Sequence, residues 1–226
     1  MSVITISRHS ALTDDQRRGI LVLAKRYSKD LINRPVKTTH KMFPTLRAWM
    51  LADIETQISP QFISQLNTEV LLANNPEGKL VGFMVLTRAN NSDTACGINY
   101  VCVDSDFRLQ GIMRRMIDSL REDFTDIALC CFTGLVGAYE KLGFKIGNAS
   151  EAQVAMRIGK SYNMNKVSPD VLSNHRDVWH AGRLLADKYG KKKAIAIEES
   201  YSEQNLIIYK KVEEFVDQRL SASATN

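Results

Sequence analysis

Residues 101–117, VCVDSDFRLQGIMRRMI, set an apolar strand, an acidic turn and a glycine directly before a helical repeat. That order suits the binding of an anion. The first N–H groups of a helix have no partner inside it, and the aligned peptide dipoles favour negative charge at that end. Gly111 has no Cβ and lets a ligand approach the backbone. The other residue types that carry chemistry are scattered. His9, His40, His175 and His180 are dispersed, and the last two have neither metal-ligand spacing nor a clear partner. Cys96, Cys102, Cys130 and Cys131 form no CxxC pair and fall in strand-like runs. Buried, reduced thiols are expected, not zinc ligands or disulfides, and no metal is expected. No Ser-His-Asp or Cys-His arrangement can be argued.

The elements around this stretch follow from periodicity. Val3–Ile6 reads as a short strand. Thr13 predicts a helix cap with Gln16 as its capping-box partner, and Ile20, Leu23, Ala24, Tyr27 and Leu31 recur at helical spacing. Leu46–Ile58 predicts a second helix and Ser59-Pro60 the start of a short third one. Val70–Ala73 and Leu80–Thr87 flank a hairpin turn at 74–78, and Ala95–Val103 is the next strand. A helix follows from Gly111 to about Arg121. Ile127–Cys131 fits a strand buried on both faces. Gly134–Leu142 reads as helix with Gly143 as its C-cap, and Phe144–Ile146 pairs with Val154–Ile158 across a turn at 147–152. Beyond this, Ser168-Pro169 opens a helix to about Tyr189, Ala194–Ile197 reads as a strand, Ser202–Leu220 as a last helix, and SASATN as a disordered tail. The fold class is α/β (α+β), a mixed sheet with helices on both faces.

The chain of 226 residues is long enough to bury a sizeable core. It contains no apolar run of bilayer length, and MSVITISRHS lacks the apolar core of a signal peptide, so a cytoplasmic protein without membrane contact is expected. The net charge of +5 is unevenly spread. Residues 1–50 carry ten Lys/Arg against three Asp/Glu, residues 51–159 nine against thirteen, and residues 160–226 eleven against nine. The basic first segment reads either as a solvated helix face or as a surface attracting an acidic acceptor or a polyanion such as nucleic acid. No aromatic–basic interleaving accompanies it, which keeps nucleic acid second.

Val103 to Ile117 resembles the acyl-CoA-binding motif of the GNAT superfamily of N-acyltransferases, in which R/Q-x-x-G-x-G/A opens a helix after a strand. Arg108, Gly111 and Ile112 match, and Asp106-Phe107 takes the place of the usual acidic–aromatic pair. Downstream, Ala138-Tyr139-Glu140-Lys141-Leu142-Gly143-Phe144 resembles the family's Y-E-K-x-G-F signature. The resemblance covers roughly residues 1–159 and implies a GNAT-like mixed, mostly antiparallel central sheet. Residues 160–226 lie outside it as a mostly helical extension. Met113 stands at the second small residue of the loop, Ser105 where proline is common, Leu109 where glycine is common, and Phe132 where many relatives carry an asparagine.

The resemblance implies a donor, acetyl-CoA, and roles for particular residues. The backbone of Val101, Cys102 and Val103 would bond the pantetheine amides. Arg108, Leu109, Gln110, Gly111, Ile112, Met113 and Arg114 would form the pyrophosphate loop. An amine would attack the thioester directly, with Tyr139 giving a proton to the departing thiolate. A base is not visible: Ala95–Val103 holds no carboxylate, Tyr100 or Asn99 would need a water, and Asp104 and Asp106 read as turn-capping acids. His40 lies in the loop where relatives line the acceptor pocket, or is a surface histidine. The acceptor is a small amine or a macromolecular one (protein, tRNA or modified nucleobase); a CoA-binding or interaction module without catalysis is the third reading. The extension would pack beside the acceptor pocket, form a homodimer or bind a partner.

Overall fold

The computed structural model describes residues 4–224; Val3, Thr225 and Asn226, which fell in the expected first strand and tail, lie outside them. The chain begins with β1 (Thr5–His9), α1 (Asp14–Arg26), α2 (Ser28–Leu31) and α3 (Phe43–Gln57). It continues through β2 (Thr68–Asn74), β3 (Leu80–Arg88), β4 (Ala95–Val103), α4 (Ile112–Arg121) and β5 (Asp126–Cys131). Next come α5 (Val136–Glu140), β6 (Lys145–Ser150) and β7 (Gln153–Ile158), then α6 (Pro169–Ser173), α7 (Arg176–Tyr189) and α8 (Lys191–Ala224).

The strands form one seven-stranded sheet in the order β1-β2-β3-β4-β5-β7-β6. Neighbours run antiparallel except β4 and β5, which are parallel. A parallel pair needs a crossover, and α4 supplies it. Its buried Ile112, Met116, Ile117 and Leu120 lie on one stripe and join a core that includes Leu71, Met84, Ile127 and Leu129. The opposite face of β2–β4 is covered by α1 and α3, with Ile20, Leu23, Met50 and Ile54 against Val70, Phe83 and Val85. This is the mixed, mostly antiparallel sheet with helices on both faces expected above.

Several local expectations are corrected. The first helix breaks at Tyr27, whose side chain is drawn to the β4–α4 turn. Residues 59–67 form turns and not a third helix. Strand β6 runs on to Ser150 with an irregularity between Ile146 and Ala149, so the turn is confined to Glu151 and Ala152. The expected 168–189 helix is interrupted where His175 caps α7, its Nδ1 accepting from Asp177 N at 3.3 Å. The expected strand at 194–197 is instead the start of α8, which continues through Ser221 into the expected tail. Buried Ala194, Tyr201, Asn205, Val212 and Val216 keep helical spacing along it. The Ala-Ile-Ala-Ile alternation that suggested a strand is a single turn of that helix.

Cysteine placement also needs correction. Cys96, Cys102 and Cys131 are buried, but Cys130 is exposed. It faces away from the α4 side of β5, and no residue of β5 joins the cluster under α1 and α3. That face of β5 is therefore open, and the strand is not buried on both sides.

The extension is not detached. Leu185, Ala194 and Tyr201 cluster with Met42 of the α2–α3 loop, while Val212 and Val216 join the main core. Among the described residues no helix is long and apolar enough to cross a membrane.

Candidate active site

Strand β4 is where the sheet parts. It pairs with β5 only from Ala95↔Asp126 to Ile98↔Leu129, yet it stays paired with β3 as far as Gly82↔Val103. A bulge at Asn99, between the Leu86↔Ile98 and Val85↔Tyr100 pairs, bends it at the point of separation. Residues 99–103 thus have one edge that no neighbouring strand pairs. A cleft of about 1390 Å³ fills the wedge. Backbone groups facing such a space need a partner, and a ligand can supply it.

Of the residues expected to hold the donor, Val101, Cys102, Val103, Arg108, Leu109, Gly111, Ile112, Met113 and Arg114 all line this cleft. Gln110 does not; its amide donates to Asp106 O at 3.2 Å and ties the turn together. Gly111 is the N-cap of α4, in the left-handed region at φ 74°. A Cβ there would meet no atom within 4 Å, so its backbone angle is what calls for glycine. Met113, the larger residue in the loop, packs against the main core. Arg114 is exposed at the cleft and has no ion pair among the described residues.

Arg108 is engaged within the protein. Its Nε donates to Val103 O at 3.0 Å, its Nη2 to Asp30 Oδ2 at 3.0 Å, and its guanidinium lies 4.9 Å from the Tyr27 ring centroid. It braces the turn and occupies the Val103 carbonyl, leaving Arg114 the freer cation. Asp104, 2% exposed, accepts from Tyr27 Oη at 2.9 Å, Arg26 Nη1 at 3.0 Å and Asp106 N at 3.3 Å. Burial opposes its charge, but the Tyr27 and Asp106 donors with the Arg26 charge outweigh it and hold its pKa below the usual value. Asp104 is a structural acid at the turn.

Leu109 sits beside the glycine at φ 61° and is fully exposed. A branched side chain pays steric cost there, about 1–2 kcal/mol, and buries nothing in return. Leu109→Gly should stabilise the protein by roughly 0.5–1 kcal/mol, with unfolded-state entropy taking back part of the relief. Thermal melts should rise by about 2–4 °C per kcal/mol; an unchanged or lower Tm would mean the turn is not strained.

Tyr139 reaches the cleft from α5. Its ring lies edge-on to Phe144, centroids 5.7 Å apart, and Phe144 follows Gly143 at φ 84°. Burial, with a smaller contribution from Cys131, pushes its pKa up to about 12. It therefore stays a phenol at neutral pH, and its hydroxyl has no hydrogen-bond partner among the described residues. Cys102, also at the cleft, is held as a thiol by burial, its pKa raised to about 12. A thiol so raised is a poor nucleophile. Phe132 lines the wall opposite β4.

A half-buried carboxylate lies on the α3 side of β4. Tyr100 Oη donates to Asp53 Oδ2 of α3 at 2.5 Å, on the sheet face opposite the Val101 side chain, and neither Tyr100 nor Asp53 lines the cleft itself. Burial raises the Asp53 pKa above the usual carboxylate value, with Tyr100 and Gln57 bonds pulling against it. Asn99 donates to Gln57 Oε1 at 2.7 Å and Thr87 Oγ1 at 2.8 Å, completing a polar network at the bulge. The sequence signal was an acid and an amide at i, i+4 within an otherwise apolar helix face. Two residues of α8 not singled out from the sequence, Tyr201 and Gln204, also line the cleft, and the Tyr201 ring packs 5.3 Å from that of His40.

A parted sheet, a glycine-capped helix and a protonated tyrosine thus meet at one cleft. Residues 67–146 match the Acetyltransferase (GNAT) domain family. The matched segment runs from the start of β2 into β6 and takes in the parted strands, α4 and Tyr139. Its fold is similar to the histone acetyltransferase HPA2 and related acetyltransferase of Corynebacterium glutamicum, at 18% identity and a TM-score of 0.52, covering 74% of this chain and 100% of that one. An acyl-CoA N-acyltransferase of Pseudomonas aeruginosa matches at 18% identity and a TM-score of 0.49, over 70% and 100% of the chains. Nourseothricin acetyltransferase matches at 17% identity and a TM-score of 0.37, over 42% of this chain and 66% of that one. No curated protein sequence matches the chain.

Proposed function

We propose that the chain moves the acetyl group of acetyl-CoA to an amine by direct attack in the β4–β5 wedge. The observation that carries this reading is that the unpaired edge of β4, the N-terminus of α4 and Tyr139 all face one cleft. The first-turn N–H groups of α4 and the Arg114 guanidinium suit a pyrophosphate. The free edge at 101–102 suits the pantetheine amides. A neutral amine attacks the thioester carbonyl: the N–C bond forms and the C–S bond breaks. The amine proton passes to Asp53 by way of water and the Tyr100 hydroxyl, and Tyr139 delivers its proton to the departing thiolate. Direct attack is favoured over an acyl-cysteine route because Cys102 is held as a thiol. Three buried free thiols suit a reducing compartment, and we assign the reaction to the cytoplasm.

Acetyl-CoA at about a hundred times its Kd should add roughly 2.7 kcal/mol to stability. For a chain of this size that is a rise in Tm of about 5–10 °C. A melt unmoved by millimolar acetyl-CoA would overturn the reading. The basic first segment, with ten Lys/Arg against three Asp/Glu over residues 1–50, favours an acceptor that carries negative charge.

A further inference from the structure

A second cavity, about 910 Å³, lies between α1, α3 and α7 and shares His40 with the donor cleft. Its wall is aliphatic, from Leu21, Leu51, Leu184 and Leu185. Its rim is cationic. Lys25, Lys41, Arg47 and Lys188 line it, and none has a carboxylate partner among the described residues. Both acids that line it are already engaged: Glu55 lies 3.5 Å from His175 Nε2, and Asp177 lies 3.3 Å from Arg176 Nε. The groove therefore presents an excess of positive charge around an apolar floor.

A second observation is independent of charge. Thr45, 7% exposed, lines the groove, and its Oγ1 has no hydrogen-bond partner. Buried hydroxyls of that kind are ordinarily paired. On the other side of His40, the buried Tyr201 Oη at the donor cleft is likewise unpartnered. His40 itself accepts from Met42 N through Nδ1 at 3.1 Å, which fixes the ring between the two cavities.

We propose that this groove seats an acidic, leucine-bearing segment of a polypeptide acceptor, whose amine passes His40 into the donor cleft. The inference rests on the acetyl-transfer reading and specifies its acceptor. Carboxylates of the segment meet the four free cations, its apolar side chains meet the leucines, and Thr45 Oγ1 meets a backbone group. The reaction balances as peptide amine plus acetyl-CoA giving acetylated peptide plus CoA thiol. Nucleic acid is disfavoured by the ring chemistry. Tyr189, the aromatic residue lining the groove, already has the Lys41 and Lys188 ammonium groups 5.2 and 5.4 Å from its centroid. That leaves an aliphatic floor on which bases do not stack.

The test uses the full chain and a peptide of about twelve residues built from glutamate, leucine and glycine, with a free amino terminus and a fluorophore at its other end. Anisotropy should report binding, and mass spectrometry after acetyl-CoA is added should report acetylation of the peptide amine. Reversing two rim charges together, Lys25→Glu with Arg47→Glu, should raise the peptide Kd at least about tenfold and lower peptide kcat/KM in parallel. Thr45→Val should weaken binding by about three- to fivefold. In both variants the Tm rise with acetyl-CoA should be retained. The proposal is overturned if the double variant binds the peptide as the wild type does. It is also overturned if single-stranded RNA of similar length binds more tightly than the peptide and loses that binding in the double variant. Absence of the acetyl-CoA shift in the wild type would instead overturn the donor reading beneath it.

Discussion

Tyr139→Phe should lower kcat by about 10²–10³-fold while the Kd for acetyl-CoA stays within about threefold. Proton delivery by a positioned acid is worth roughly 10²–10⁴. The phenylalanine ring keeps the edge-on contact with Phe144 and the place in the core, and the lost hydroxyl had no partner among the described residues. Stability should therefore be nearly unchanged, which separates this variant from one that unfolds. Because burial raises the Tyr139 pKa to about 12, no alkaline loss of kcat from this group is expected below about pH 11. Steady-state turnover and calorimetric CoA binding on the same preparation decide the matter. A kcat within threefold of wild type removes Tyr139 from the chemistry.

Asp53→Asn should lower kcat/KM for the amine by about 10²-fold at neutral pH, with activity recovering as pH rises toward the pKa of the amine. Without a proton acceptor, only the fraction of amine already neutral can attack. A structural role for Asp53 predicts no such recovery. In the wild type the acid limb of kcat/KM should lie above the ordinary carboxylate range, since burial raises this pKa. Stability runs the other way. A carboxylate whose folded pKa is raised favours the fold below its unfolded value and loses that contribution as pH rises through the raised one. Removing the charge should thus leave neutral-pH stability equal or higher, and a fall in rate cannot be put down to unfolding. A flat pH dependence of the variant-to-wild-type ratio would exclude Asp53 as the proton acceptor.

What was legible in the sequence was whatever local chemistry decides. The Thr13–Gln16 capping box forms as expected, each backbone N–H meeting the other residue's side chain at 2.9 and 3.2 Å. Gly143 takes the left-handed backbone that its place after a helix called for, whereas at Gly111 the left-handed angle itself, and not only the missing Cβ, calls for glycine. The order of strands around the β4–α4 turn could be read because periods of two and of 3.6 residues are themselves local. Asp53 was missed because its partner is 47 residues away in sequence and meets it only through packing of α3 on the sheet. Cys130 was misread because burial of a strand face depends on which helices cover it, and α1 and α3 stop at β4. The Ala-Ile-Ala-Ile run was misread because four residues fit either period, and only the continuation to Tyr201 and Asn205 resolves them.

The parted strands carry one more consequence. Among the described residues, the strand pairing between the sheet's two portions, β1–β4 and β5–β7, runs along Ala95–Ile98, with Thr94 O accepting from Thr125 N and Asp126 N just before it. A donor lying in the wedge would act as a surrogate strand, its pantetheine amides standing in for a missing length of polypeptide. Recognition of that kind reads a gap in the ladder and not the side chains beside it. On the proposed reading, a loop carrying Leu109 and Met113, facing Phe132 across the cleft, would keep its purpose although smaller or polar residues are usual at these places. A donor held in this way would be part of the architecture: bound, it would bridge the two portions of the sheet, and its release would open the seam again.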